Sequence, residues 1–445
     1  MSIANFKKIP LQLTEDQILS LAPDESSRKS GRELANPSKW ARKGINDIAL
    51  WGECQGSGSK PYQTQVDLSN IAFKCSCPSR KFPCKHGLGL MLLYARHAAS
   101  FTDSTAPAWV AEWMEKRSKR EEKKTEAVAK PADATAQVKR KETREQQVED
   151  GIAELLRWMK DIVRGGILAM PEKDPAFFSD MARRMIDAKA PGLAGMVRNL
   201  GTVGFYREDW QSRFMDQLCR MYLVATGFLN RNALPEDLAE DIRSGTGFTQ
   251  NQETLKSQRG VADTWIVLGK QTSEEDNLLV EKNWLYGTAT QRYALVLQFS
   301  VRGQGLAFSL SAGMHIRAEL VFFPSAAPLR AVIREQQSTR AKASYTACKG
   351  WLEVTESAAA VYRVLPFDGE RPYIVGQLRL VEFGDGWWLA DADNRMVRLK
   401  EGFKQLYALL SVSGGQPLDM AVLGREHVYE PLGVWAQGQY HHLSN

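Results

Sequence analysis

The spacing of apolar positions changes character along the chain. From Tyr62 to Leu68 polar and apolar residues alternate, the period of a half-buried strand. Ser69-Asn70 offers a turn and Ile71-Ala-Phe73 a return strand, so the pair predicts a hairpin. Leu88, Leu90, Met91, Leu92, Leu93 and Tyr94 are apolar nearly all round, which predicts a buried helix too short to span a bilayer. After about residue 151 the period becomes helical. Ile152, Leu155, Leu156, Met159, Ile162 and Val163 form one stripe, Leu193, Met196, Val197 and Leu200 a second, and Trp210, Phe214, Leu218, Met221 and Tyr222 a third. Pro191-Gly192 and Pro235 stand where helices can start. Such stripes are core-forming, and no repeat period makes the region a named solenoid.

From about Val261 the texture becomes that of strands: Trp265–Leu268, Leu278–Val280 with Trp284–Tyr286, Tyr293–Phe299, Leu320–Phe323, Val361–Val364, Ile374-Val375 with Leu378–Leu380, and Gly386–Leu389. Gly303, Gly369 and Asp385-Gly386 supply turns between them, and Phe403, Leu406, Tyr407 and Leu410 predict a late helix. Near the start, Thr14-x-x-Gln17 before Ile18 has the form of a capping box, and Asn36-Pro37-Ser38 breaks the following helix. Residues 112–150 hold 11 basic and 10 acidic side chains with few aliphatics, so 101–150 reads as a flexible or partly helical linker, with Trp109 and Trp113 free to pack on what precedes it. The expected fold is a multidomain α+β chain. It has N-terminal helices and a ββα module in 1–100 (core 60–98), a charged linker in 101–150, a helical domain in 151–250 and a β-rich α+β domain in 260–445.

The chemistry concentrates at Cys75-Ser-Cys77, six residues, then Cys84-Lys-His86. Three thiols and an imidazole satisfy a structural zinc ion, which takes four N/S ligands in a tetrahedron. Side chains two apart on a strand share a face, so Cys75 and Cys77 can act together. Pro78 and Pro83 bracket the returning loop. Four filled positions leave no open site for water, so one structural Zn2+ is expected. Two such half-sites this close argue against a chance thiol cluster or a redox pair. Lys74, Arg80, Lys81 and Lys85 surround a cage of net charge −1 and favour its thiolates.

At these residues the chain resembles the SWIM zinc finger family, whose pattern is CxC-xn-CxH on a ββα unit. The family's metal ligands fall on Cys75, Cys77, Cys84 and His86, and Trp51–Tyr62 is similar to the approach in long bacterial members. The resemblance covers residues 50–98 and implies binding of DNA or protein without implying a reaction. It also implies a neighbourhood of MoxR-type AAA+ ATPases and von Willebrand A-domain proteins, an analogy at family level.

Charge adds an alternative. Residues 1–100 carry 14 Lys/Arg against 8 Asp/Glu, while the rest of the 445-residue chain is balanced, so the net +6 sits with the finger. Arg28, Lys29, Arg32, Lys39, Arg42 and Lys43, with Arg80, Lys81 and Lys85, are candidate phosphate contacts. A solvated face that also compensates the anionic cage explains the surplus equally well. Cys54, Cys219 and Cys348 remain as scattered thiols, which suits small buried residues in a reducing compartment. The first residues lack a signal-peptide core and no run reaches transmembrane length, so a cytoplasmic protein without membrane contact is expected.

Catalytic patterns are missing. Gly269-Lys270-Gln-Thr272 lacks a phosphate loop's first glycine and its Ser/Thr after the lysine, and Gly201-Thr-Val-Gly204 and Gly303-Gln-Gly305 lack a third glycine. His315 and His427 are isolated, and His441-His442 are expected in a frayed tail. Two readings remain: a non-enzymatic interaction protein whose finger docks protein partners, slightly favoured because most of the chain is charge-balanced, and a nucleic-acid-binding protein using the basic segment.

Overall fold

The computed structural model describes residues 13–56, 58, 60–127, 134–275, 278–301, 308–338, 344–384 and 386–443. The capping box forms: Gln17 N donates to Thr14 Oγ1 at 3.2 Å and Thr14 N to Gln17 Oε1 at 3.0 Å, opening α1 (Glu15–Leu19). Asp24 caps α2 (Glu25–Leu34), which stops before Asn36-Pro37. Then come β1 (Trp40–Ile45), β2 (Ala49–Cys54), β3 (Tyr62–Asp67) and β4 (Ala72–Cys75), an antiparallel sheet in sequential order, and α3 (Lys85–His97). The expected hairpin is β3–β4, with Asp67 opposite Ala72. The ββα unit is therefore half of a four-stranded layer. β2 escapes a period-two search because Ala49, Leu50, Trp51 and Gly52 are buried in succession. A side chain at Gly89 would come within 2.7 Å of Leu34 Cβ, so glycine lets α3 press against α2.

The stretch expected to be a linker is largely helical. It holds α4 (Ala108–Ala127) and the start of α5 (Ala134–Gly165), which crosses the boundary drawn at 150 without a break. Lys, Glu, Ala and Gln are strong helix formers, and a few apolar residues suffice to anchor such helices. Val110 of α4 is buried with Ala49 and Trp51 of β2, Trp109 packs against them, and Arg117 reaches Asp67 and Asn70, each at 3.1 Å. Val148 begins the buried stripe that Ile152, Leu155, Met159 and Ile162 continue. α6 (Ala176–Asp187), α7 (Pro191–Gly201), α8 (Trp210–Leu229) and α9 (Glu236–Thr246) close a bundle around this stripe, and α10 (Gln252–Lys256) follows. Pro191 is the first residue of α7 and Pro235 caps α9, as their positions predict.

Beyond α10 lie two β units. β5 (Val261–Glu275), β6 (Leu278–Gly287), β7 (Tyr293–Val301), β8 (His315–Phe322) and β9 (Arg330–Ser338) form a closed barrel in the order β5-β6-β7-β9-β8. α11 (Trp351–Val364) leads to β10 (Arg371–Phe383), β11 (Gly386–Ala390) and β12 (Met396–Leu399). α12 (Leu406–Ser413), β13 (Leu418–Arg425), β14 (Val428–Ala436) and β15 (Gln439–His442) complete a six-stranded sheet, β12-β11-β10-β13-β14-β15. Val361–Val364, expected as a strand, ends a helix instead. Trp351, Val354 and Ala358 are buried at helical spacing before it, and that longer pattern decides. His441-His442 lie in a paired strand rather than a frayed tail, with Leu443 buried behind them. Gly303, Gly305 and Asp385 fall outside the described residues.

Strand alternation sends β5 into two cores. Trp265 and Val267 point into the barrel, while Ile266 and Leu268 meet Ile374, Ala421, Leu423 and Leu432 of the six-stranded sheet. The barrel interior in turn belongs to one continuous core with Ile18, Leu50, Phe73, Leu88, Leu90 and Leu92 of the N-terminal layer. Polar contacts join the same surfaces: Ser20 Oγ lies 2.6 Å from Ser311 Oγ, Ser311 Oγ donates to Gln17 O at 2.8 Å, and Ser309 N donates to Asn70 O at 3.0 Å. Among the described residues no helix is long and apolar enough to cross a membrane.

Candidate metal centre

β4 ends at Cys75, yet ladder-like bonding runs one residue further, since Ser76 N donates to Gln63 O at 3.0 Å and Gln63 N to Ser76 Oγ at 3.0 Å. This holds Cys77 in line with Cys75. The loop through Pro78 and Pro83 delivers Cys84 to the N-cap of α3, and His86 sits in its first turn. A helix N-terminus favours a thiolate through its unpaired N–H groups and dipole.

The four donor atoms lie within 4.8 Å of one another. His86 turns Nδ1 toward the sulfurs, 3.8 Å from Cys75 Sγ and 4.0 Å from Cys84 Sγ. A tetrahedron with Zn–S bonds of 2.3 Å has edges of about 3.8 Å, so the cluster has the dimensions of a closed zinc cage. Its protonation chemistry agrees. Cys77 is pushed well down by hydrogen bonds with Cys75 and Cys84, helped by His86 and the Ser79 N–H. Cys84 is pushed up by the same two thiols and by burial, against the Gly87 N–H. Three sulfurs this close cannot all be thiolates on their own, and a divalent cation removes that conflict. The site fits one structural Zn2+.

Two residues around the cage went unread in the sequence. Thr64 Oγ1 lies 3.2 Å from Cys75 Sγ, placed by the register that sets Thr64 opposite Cys75. Tyr62 packs its ring on His86 with centroids 4.9 Å apart. Strand pairing is the signal that could have found them, because a residue opposite a ligand shares its face. Cys54 is fully buried, and burial followed by the charge of Cys75 pushes its thiol up to about 11, so it acts as a neutral packing residue. Cys219, by contrast, is exposed, which the expectation of buried thiols missed.

The nine candidate phosphate contacts scatter. Lys29 and Arg32 are exposed on α2, Lys39 and Arg42 lie exposed at the start of β1, and Arg80 and Lys85 are exposed beside the cage. Lys43 is half-buried, and Arg42 stands opposite Glu53. Two are committed to other partners: Arg28 pairs with Glu25 at 3.1 Å and donates to Leu19 O, and Lys81 pairs with Asp24 at 2.7 Å.

The SWIM zinc finger family matches residues 62–95, which span β3, β4, all four ligands and most of α3. The SWIM-associated four-helix bundle domain matches residues 143–245, from within α5 to α9. No curated protein and no solved structure matches the chain. A closed Cys3His cage on the finger, followed by the bundle that accompanies such fingers, supports a SWIM-type protein that binds zinc.

Proposed function

We propose that this is a non-enzymatic interaction protein whose finger docks protein partners, in a complex with a MoxR-type AAA+ ATPase or a von Willebrand A-domain protein. The burial of α3 carries the reading. His86 to Leu93 are buried in unbroken succession, leaving Lys85 and the last turn exposed. A helix enclosed on all sides cannot lie in a major groove, which is how a ββα finger reads DNA. Zinc then serves to brace a surface. Beside it, a groove of about 650 Å³ between α2 and the metal loop presents Ser26, Ser30, Tyr62, Lys81 and Lys85. On the bundle, Val163 and Tyr222 are 55% and 46% exposed along an apolar groove with Met159, Met215 and Leu218, a kind of surface that protein partners cover.

One observation favours nucleic acid as the second reading. Lys29, Arg32, Lys39, Arg42, Arg80 and Lys85 are exposed and form no ion pair with a described residue. Size-exclusion chromatography of the full chain with the purified ATPase or A-domain protein, beside anisotropy titrations with a short DNA duplex, separates the two. Co-elution with a protein and weak duplex binding are expected. Tight duplex binding that weakens by about 0.9 log units per tenfold rise in salt for each phosphate contact, with a slope that flattens when Lys29, Arg32, Lys39 and Arg42 become alanine, would move the function to the second reading.

A further inference from the structure

Far along the chain from the metal centre, a cavity of about 340 Å³ lies where three units meet. α9 contributes Asp241, the barrel contributes Lys282, Trp284 and Arg330, and the connection from α11 to β10 contributes Asp368 and Glu370. Arg330 opens β9 and lays its guanidinium over the Phe323 ring, 4.5 Å from the centroid. It is half-buried, and among the described residues it has no ion-pair or hydrogen-bond partner for its guanidinium. Three other shielded arginines have carboxylates: Arg231 has Glu145 and Glu149, Arg243 has Glu145, and Arg371 has Asp368. A guanidinium withdrawn from water without an anion is costly, and desolvation is the one influence on Arg330, lowering its pKa.

The acids facing the cavity do not fill that role. Asp368 is engaged by Arg371, and Glu370 by Lys400 at 3.0 Å. Asp241 accepts from Ala326 N at 2.8 Å, and burial raises its pKa. Lys282, exposed at the rim, forms no ion pair with a described residue either, so both cations of the lining stand outside an ion pair. Phe248, Trp284, Leu295 and Phe323 make the walls apolar and aromatic. We propose that this cavity binds a small anion, a carboxylate or phosphate carried on an aromatic or aliphatic body, with Arg330 as its partner and Lys282 at the entrance. Guanidinium matches either anion in two-point geometry, and ring walls reward a flat body. Pockets of this size and place, at a junction of units, are where ligands commonly bind.

Calorimetric titration of the intact, zinc-loaded chain with acetate, inorganic phosphate, benzoate and phenyl phosphate tests this. One site per chain is expected, with the aryl probes about tenfold tighter than their parent anions, and the better of benzoate and phenyl phosphate identifies the head group. Arg330→Gln should weaken binding at least about tenfold, while Arg330→Lys should keep part of it. Lys282→Glu, an exposed change that spares the fold, should reverse the local charge and abolish binding. Unchanged affinity in Arg330→Gln or in Lys282→Glu, or no saturable binding by any of the four probes, overturns the proposal.

Discussion

Leu88, Leu90 and Leu92 of the finger helix belong to a core that continues into the barrel at Trp265 and Ile316, whereas Phe214 and Met221 of the bundle belong to a core of their own. The finger has little interior to itself: a short sheet, one buried helix and a metal cage. Small modules of that kind need a metal or a neighbour, and this one has both. The bundle buries stripes from α5, α6, α7 and α8, with Ile242 of α9, and meets the six-stranded sheet largely through polar groups. Arg220 contacts Asp368 O at 2.7 Å and Glu426 at 3.5 Å, and Arg425 reaches Asp216 at 3.4 Å. Damage should therefore spread from the finger into the barrel and stop short of the bundle.

The largest effect should come from the metal. Structural zinc in finger peptides supplies on the order of 10–16 kcal/mol of apparent binding energy at neutral pH, comparable to the stability of a whole domain. Elemental analysis should find about one zinc per chain, and Cys77→Ser should lose it together with the native finger. Retention of a full equivalent by Cys77→Ser would place the metal elsewhere.

Core substitutions sharpen the contrast. Leu90→Ala and Phe214→Ala should each cost about 2–5 kcal/mol in chemical denaturation, both side chains being fully buried. Leu90→Ala should also loosen the barrel, visible as lost hydrogen-exchange protection in β5 and β8, while Phe214→Ala should leave the barrel intact. Barrel protection unaffected by Leu90→Ala would divide the shared core.

The bundle carries an acid-sensitive clasp. Glu145 of α5 holds Arg243 at 2.7 Å and Arg231 at 3.0 Å. Burial alone would raise its pKa, but hydrogen bonds from Arg243 and Arg231 overcome that and lower it. A lowered folded pKa stabilises fully above the unfolded value of about 4.3, and the contribution disappears as pH falls through the folded value. Glu145→Gln should cost about 1–2 kcal/mol at neutral pH and close to nothing well below pH 4. Urea unfolding at both pH values measures the difference, and an equal cost at both would remove the clasp. Smallest of all, Ser311→Ala should cost about 1 kcal/mol by cutting the hydrogen bonds to Ser20 and to Gln17 O that seat the N-terminal helices on the barrel.

Legibility in the sequence followed the range of the interactions. The cage was readable because its four ligands lie within one short segment and chemistry dictates their types. Thr14 and Gln17 were readable for the same reason, a cap being local. Helical stripes in α5, α7 and α8 stood out because the bundle covers a single face of each. The segment through Glu145 reads as a flexible or partly helical linker because its composition is charged, and two of the partners that hold it, Arg231 and Arg243, lie far along the chain. β13 and β14 pair with each other across a short turn yet show no alternation, because Met420–Gly424 and Pro431–Val434 are buried in unbroken runs. The division of β5 between two cores, and the joining of the finger to the barrel, depend on pairings that no local pattern carries.

The central claim is that zinc braces a finger whose core the barrel shares. Hydrogen exchange on the intact chain before and after zinc chelation tests it most directly. The account predicts that protection falls across residues 62–95 and in β5 and β8, while residues 143–245 keep theirs. Loss confined to residues 62–95, or loss extending through the bundle, would contradict it.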